Sequence, residues 1–338
     1  MIKNSYEYGQ NASIRESNQI NLDLDFNEKN DLNSIRDAYS FYISKELLNN
    51  EKFVLIDVDL GTVAKTLHLK KKLRNRYVQS GISEQNAVGV SAGIAQFGKI
   101  PIVQSLAVFL TGRAFDQIRE SISYSELNVK LVGLHSGFTL SPDGATHQTG
   151  EDIALISSLP NFEIYAPADH LQLKKILPIF LNSKKPGYLK LFFPKTKIIS
   201  KKRVINKKIQ IIKSLKNINL LSYGVMSQKL NEAYIELKKK GVEVGILNVP
   251  FIKPIDKKEL INISKKSKIL FVIEDHNQYG GLGSIISQII SENNPTKIVS
   301  INSNDKFGTT GLPEENLNYL GLSTKKIINK VLTYVKKK

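Results

Sequence analysis

The sequence predicts an α/β protein built from two consecutive parallel-sheet α/β domains, and three observations carry that expectation. FVLIDVDL (53–60), KIPIVQSL (99–106), VKLVGLH (129–135), FEIYAPAD (162–169) and YLKLFF (188–193) are near-continuous apolar runs of strand length. Such runs mark strands covered on both faces. Segments of helical periodicity, RAFDQIRESI and HLQLKKILPIFL among them, separate most of these runs, which is the alternation of a parallel sheet. The alternation then restarts downstream: NINLLSYG, a helix through MSQKLNEAYIEL, VEVGILNV, KILFVIED, a helix through GSIISQII, and KIVSIN.

Taken in order, residues 1–30 are polar with little periodicity and are expected to form an N-terminal extension. Ile35, Ala38, Tyr39, Tyr42, Ile43, Glu46 and Leu47 follow a helical spacing and open a first domain over 31–194. Within it, GISEQNAVGVSAGIAQFG (81–98) is a turn entering a helix whose face of Ala87, Gly89, Ala92, Gly93 and Ala95 can press closely on another element. Glu84 stands at its start, and a carboxylate entering such an interface is costly unless something accepts it. Residues 195–208 are basic and poorly patterned, the expectation for a linker, and 209–338 form the second, smaller domain.

A chain of 338 residues with 41% hydrophobic content can bury two domain-sized cores. No window approaches the roughly 18 apolar residues of a membrane span, and the N-terminal stretch lacks a signal peptide's apolar core. The absence of cysteine excludes disulfides and thiolate chemistry. The formal charge of +17 comes from lysines spread along the whole chain, and the runs 70–76 and 195–208 lack aromatic residues for base stacking. A cytoplasmic enzyme is expected, binding neither nucleic acid nor membrane.

Ligands of open parallel sheets bind beyond the carboxyl ends of the strands. Two segments fall there. SGFTLSPDGATHQTGED (136–152) follows the strand ending at His135 and offers Asp143 and His147. These three residues lack metal-site spacing and a further nitrogen or sulfur ligand. Polar recognition of a hydroxylated substrate, with a histidine as proton carrier, suits them better. HNQYGGLGS (276–284) is a glycine-rich turn before a helix, suited either to phosphate or to close packing. His68 and His170 read as ordinary surface or boundary residues.

GISEQN, FLTGRAFDQIRES, LHSGFTLSPDGATHQTGEDIALISSLPNFEIYAPAD, EDHNQYGGLGS and FGTTGLPEE occur in the order and approximate spacing of the C-terminal half of transketolases. From about Asn33 onward the chain most resembles the separately encoded C-terminal subunit of split transketolases. The resemblance implies a thiamin diphosphate-binding Pyr-type fold followed by a transketolase C-terminal domain. It implies that Glu84 hydrogen-bonds a ring nitrogen of the cofactor's aminopyrimidine, sharing a proton that a carboxyl in a dry pocket holds more tightly. Phe109 would line the pyrimidine pocket. Asp143 and His147 would recognise hydroxyls of the ketose donor, His135 would hold the acceptor and Arg36 the sugar phosphate. The family's GDG…N motif for the diphosphate and its Mg2+ or other divalent cation is absent. That implies a partner, an N-terminal transketolase subunit carrying GDG, in an α2β2 assembly with the cofactor held between the subunits.

The sequence departs from the sugar-phosphate pattern at two places. LFFPKTK offers Pro194 or Lys195 where the family carries an arginine, and Val63 or Ala64 replaces a phosphate-contacting serine. The implied acceptor is therefore a specialised or nucleotide-linked sugar rather than an ordinary pentose phosphate. The β-subunit of 2-oxo acid dehydrogenases, a deoxyxylulose-phosphate synthase-like enzyme and a non-catalytic scaffold homologue stand as alternatives.

Overall fold

The computed structural model describes residues 26–200 and 209–336. Most of the expected N-terminal extension, and residues 201–208 of the expected linker, lie outside the described residues. A seven-stranded sheet runs from edge to edge as Phe251–Lys253, Glu163–Tyr165, Gly187–Lys190, Lys130–Leu134, Ile100–Leu106, Phe53–Asp57 and Tyr77–Gln79. A five-stranded sheet runs as Lys297–Ile301, Ile269–Ile273, Ile218–Ser222, Gly245–Asn248 and Gln210–Lys213. All neighbours are parallel except Phe251–Lys253 and Gln210–Lys213, which are antiparallel edge strands. The central strands Phe53–Asp57 and Lys130–Leu134 are buried at every position, which is why they read as unbroken apolar runs.

Asp57 and Lys130 are exceptions in composition but not in burial; Lys130 shows how such a charge is housed. Its ammonium donates to the carbonyls of Ser183 (2.9 Å) and Lys185 (2.7 Å), and burial pushes its pKa down to about 7. The segment expected as a linker begins with a strand instead. Lys195–Lys197 pairs antiparallel with Leu32–Ser34, burying Thr196 between two exposed lysines. A period-2 pattern only three residues long, made of one threonine among lysines, gives no apolar signal in sequence.

The two sheets are tied together. Phe251–Lys253 leaves the second domain to pair with Glu163–Tyr165 of the first, and the Ala166 amide donates to Pro250 O (2.8 Å). Gln172 Nε2 reaches across to Gln210 (2.9 Å) and Asn248 (2.7 Å). Asp169 caps the helix His170–Asn182 through the Gln172 amide (2.8 Å) and accepts the amides of Ile199 and Ser200. Deeper in, the buried Lys190 ammonium lies 2.9 Å from Asp152, which also accepts from Tyr188 Oη (2.8 Å). Asp275 of the second domain joins this cluster, and its burial raises its pKa to about 7. A Cβ at Gly137, where φ is +82°, would fall 1.7 Å from the Asp275 carboxylate, so only glycine fits there.

The helix Glu84–Gln96 buries Ala87, Val88, Ser91 and Ala92. Its small-residue face is used only in part, since Gly89 and Gly93 are exposed with open space beyond their Cα atoms and Ala95 is half-buried.

Removing one member of a buried ion pair leaves an uncompensated charge and typically costs about 3–5 kcal/mol. Asp152→Ala is expected to lower unfolding free energy by that order in denaturant titration, and Asp152→Ala with Lys190→Met to recover most of it.

Candidate active site

The strand Ile100–Leu106 delivers the chain to Ala107, after which it enters a π-helical turn, Phe109–Arg113. A second π segment covers Ile118–Tyr124, so the helix expected through RAFDQIRESI is widened at both ends. Thr111 Oγ1 donates to Ala107 O (2.8 Å), a back-bond that helps loosen the regular ladder. Such π turns are rare and are concentrated at functional sites. Here the turn sets Phe109 and Arg113 on one side, with the guanidinium 4.4 Å from the Phe109 ring centre.

Arg113 is also what accepts Glu84. Its Nη1 stands 2.8 Å from Glu84 Oε2, while Ser105 Oγ reaches Oε1 at 3.4 Å. Glu84 is 2% exposed and Arg113 48%, so a buried carboxylate meets a cation that is still open to solvent. From Phe109 the line continues to His147, whose ring lies edge-on at 5.2 Å. Glu84, Arg113, Phe109 and His147 thus form a continuous chain of contacts from the small-residue helix to the long loop. Sequence reasoning assigned no role to Arg113 or Ser105. The available signal was the cost of burying Glu84, which demanded a cation or donors nearby, and Arg113 stands within FLTGRAFDQIRES.

His135 and Arg36 make a second grouping. His135 has φ +52°, is 3% exposed, rests edge-on against Phe193 at 4.9 Å, and its Nε2 has no hydrogen-bond partner among the described residues. Burial, assisted by the Arg36 charge, depresses its pKa to about 3. Burial and the Arg36 charge both favour the neutral imidazole of His135. Asp143 is exposed on the same loop as His147. Ala64 is fully buried and offers no polar group, while Lys195 belongs to the strand paired with Leu32–Ser34. Among the described residues no cluster of three His, Asp or Glu side chains is arranged to hold a metal.

The glycine-rich turn serves close packing. Glu274 accepts the amides of Leu282 (2.7 Å) and Gly283 (2.9 Å) at the start of the helix Leu282–Asn293. A Cβ at Gly281 would fall 2.3 Å from its carboxylate. Burial raises Glu274 to about 7 against those two donors. The helix terminus is filled by the chain's own carboxyl.

Known proteins match this chain over both of its domains. Residues 33–199 match the family described as transketolase, pyrimidine binding domain, and residues 207–327 match transketolase, C-terminal domain. A putative transketolase C-terminal section of Methanocaldococcus jannaschii is 34% identical over 85% of this chain and 92% of its own length. A 6-deoxy-6-sulfo-D-fructose transketolase subunit from a Clostridium species is 29% identical, covering 87% and 92%. An apulose-4-phosphate transketolase subunit from Actinobacillus succinogenes is 32% identical, covering 72% and 79%. Among solved structures, a split-gene transketolase in an inactive β4 tetramer superposes with a TM-score of 0.79 at 31% identity, over 89% of this chain and 97% of that one. The Campylobacter jejuni transketolase shares the fold with a TM-score of 0.74 at 21% identity, over 91% of this chain and 48% of that one. No helix among the described residues is long and apolar enough to cross a membrane.

The depressed pKa of His135 has a sign. Between its ordinary value of 6.5 and about 3, the unfolded chain binds a proton that the folded chain refuses, so stability falls as pH drops through that window. Urea titrations at pH 7 and pH 5 are expected to show a smaller loss for His135→Gln than for the parental chain. The His135 ring resonances should stay unchanged between those pH values.

Proposed function

The chain belongs to the transketolase family, and from that premise we propose that it is the C-terminal subunit of a heteromeric, thiamin diphosphate-dependent transketolase. It would move a two-carbon ketol unit from a ketose donor to an aldehyde acceptor, with residues 31–194 presenting the pyrimidine site. The observation that carries this is Glu84, a buried carboxylate at a helix start with an aromatic ring and a histidine in line beyond it. One of its oxygens is paired with Arg113 and the other meets only Ser105 at 3.4 Å, which leaves a carboxylate oxygen placed to hydrogen-bond a ring nitrogen. Phe109 would flank that ring.

Thiamin diphosphate, when bound, supplies the centre that takes up the ketol unit. This chain's residues would hold and exclude. Glu84 would keep a proton at the pyrimidine nitrogen, and Asp143 and His147 would grip donor hydroxyls, His147 also carrying a proton during carbon–carbon cleavage. The neutral His135 would hydrogen-bond the acceptor, and Arg36 would meet its phosphate. The chain contains no GDG, so the diphosphate and a divalent cation such as Mg2+ fall to a partner subunit. Two features support that division in an α2β2 assembly. The relatives are named as sections or subunits, and the related split-gene β4 tetramer is described as inactive. The buried Ala64 and the missing arginine near Lys195 favour a specialised acceptor, in keeping with the sulfofructose and apulose-phosphate enzymes among the relatives.

The test combines the chain with a GDG-containing partner and compares a ketose phosphate with pyruvate as donor. Transfer is expected only in the mixture and only from the ketose. Glu84→Gln should slow it by about 10²–10⁴, the usual loss for a positioned proton-transfer group. Asp143→Ala should cost donor specificity and leave cofactor affinity near parental. Preference for pyruvate, or turnover by the isolated chain, would overturn the proposal.

A further inference from the structure

We infer that the C-terminal domain sets donor affinity by clamping the Asp143–His147 loop from outside, through a node centred on Asn316; this rests on the donor role proposed for that loop. The loop's own hydrogen bonds are short-range. Within its tip, Gly144 donates to Ser141 (3.1 Å) and His147 to Gly144 (3.1 Å), and Thr149 closes the neck onto Gly137 (3.1 Å). Its buried hydroxyls contribute little, for Thr139, Ser141 and Thr149 have no side-chain partner among the described residues. Beyond the Phe109 ring against His147 and the Asn277 amide on Gly150 O (2.6 Å), the hold on the loop's flanks comes from residues 308–316. Asn316, fully buried, donates through Nδ2 to Phe138 O (2.8 Å) and accepts the Thr309 amide at Oδ1 (2.8 Å). Gln148 Nε2 donates to Thr309 O (3.0 Å), and the Gly311 amide donates to Ser141 O (3.3 Å). Both flanks of the tip, Phe138–Ser141 and Gln148, are therefore fastened to one segment of the other domain.

The two segments interleave where side chains are missing. A Cβ at Gly308 would lie 2.0 Å from Gln148 Oε1 and 2.8 Å from the Asn316 amide group. On the other side, Gly144 has φ +77°, and a Cβ there would lie 2.8 Å from Thr310 Oγ1. Gly308 lies outside the left-handed backbone region, so a methyl there acts by collision with the clamp and not through backbone strain. Asn316 and Gly308 are positioning residues: they act through the loop and carry no chemistry. Displacing catalytic or binding groups by about 1 Å can cost up to about 10²-fold, and a partial release of one loop is expected to cost less.

The experiment uses the chain assembled with its GDG-containing partner. Gly308→Ala and Asn316→Ala should each lower kcat/KM for the ketose donor about 10-fold, mainly through KM. Acceptor KM and thiamin diphosphate affinity should stay within about twofold. Amide hydrogen exchange over 137–149 should accelerate in both. Gln148→Ser combined with Gly308→Ala should lose no more than Gly308→Ala alone, since coupled residues in contact are non-additive. Asp143→Ala is the reference. If it keeps parental donor kinetics, the donor role fails and the inference with it. If Asp143→Ala is defective while Gly308→Ala and Asn316→Ala match the parental enzyme in kinetics and exchange, the clamp alone is overturned. Equal losses for donor, acceptor and cofactor would also overturn it, because they report general destabilisation. Should Asn316→Ala fail to fold, Gly308→Ala decides by itself.

Discussion

Three residues, Phe251–Lys253, determine where the second sheet stands relative to the first, because they belong to the chain of one domain and the hydrogen-bond ladder of the other. A shared ladder leaves little freedom for sliding, since register and side-chain facing are coupled. Once that edge is made, the polar groups trapped between the domains must find partners there. The Gln172–Gln210–Asn248 bonds are such partners across the seam, and the Lys190–Asp152–Tyr188 cluster of the first domain faces the Asp275 carboxyl of the second. The loop ending in His147 can meet residues 308–316 only because this docking is already in place.

The candidate site follows the same logic at smaller scale. Glu84 enters a close-packed helix start, and its burial is tolerable because the π turn carries Arg113 to it. The same turn aims Phe109 between that pair and His147. One local deformation therefore serves both the pairing of Glu84 and the placing of Phe109 beside His147. His135 shows the opposite solution, a buried imidazole kept neutral by burial and a neighbouring cation.

Much of the fold was legible because buried parallel strands leave unbroken apolar runs, and the strands at 53, 100, 130 and 187 coincide with such runs. The candidate residues were legible through a family pattern concentrated in contiguous loops. What stayed hidden were pairings between distant segments. Lys195–Lys197 is a strand only because Leu32–Ser34 lies beside it. Phe251–Lys253 crosses domains without any local mark. Arg113 gained meaning only when the π turn brought it to a carboxylate 29 positions earlier in the chain. Such facts belong to tertiary structure, and periodicity does not encode them.

Glu274 carries a consequence for selectivity. A helix terminus beside a glycine turn is a ready cradle for anions, but here the cradle is filled by a carboxyl attached to the same chain. A tethered ligand acts at an effective concentration on the order of millimolar or higher. A dissolved phosphate would have to outcompete it and bury its own charge in the process. The turn is thus self-quenched, and a dissolved phosphorylated species finds no open anion cradle there.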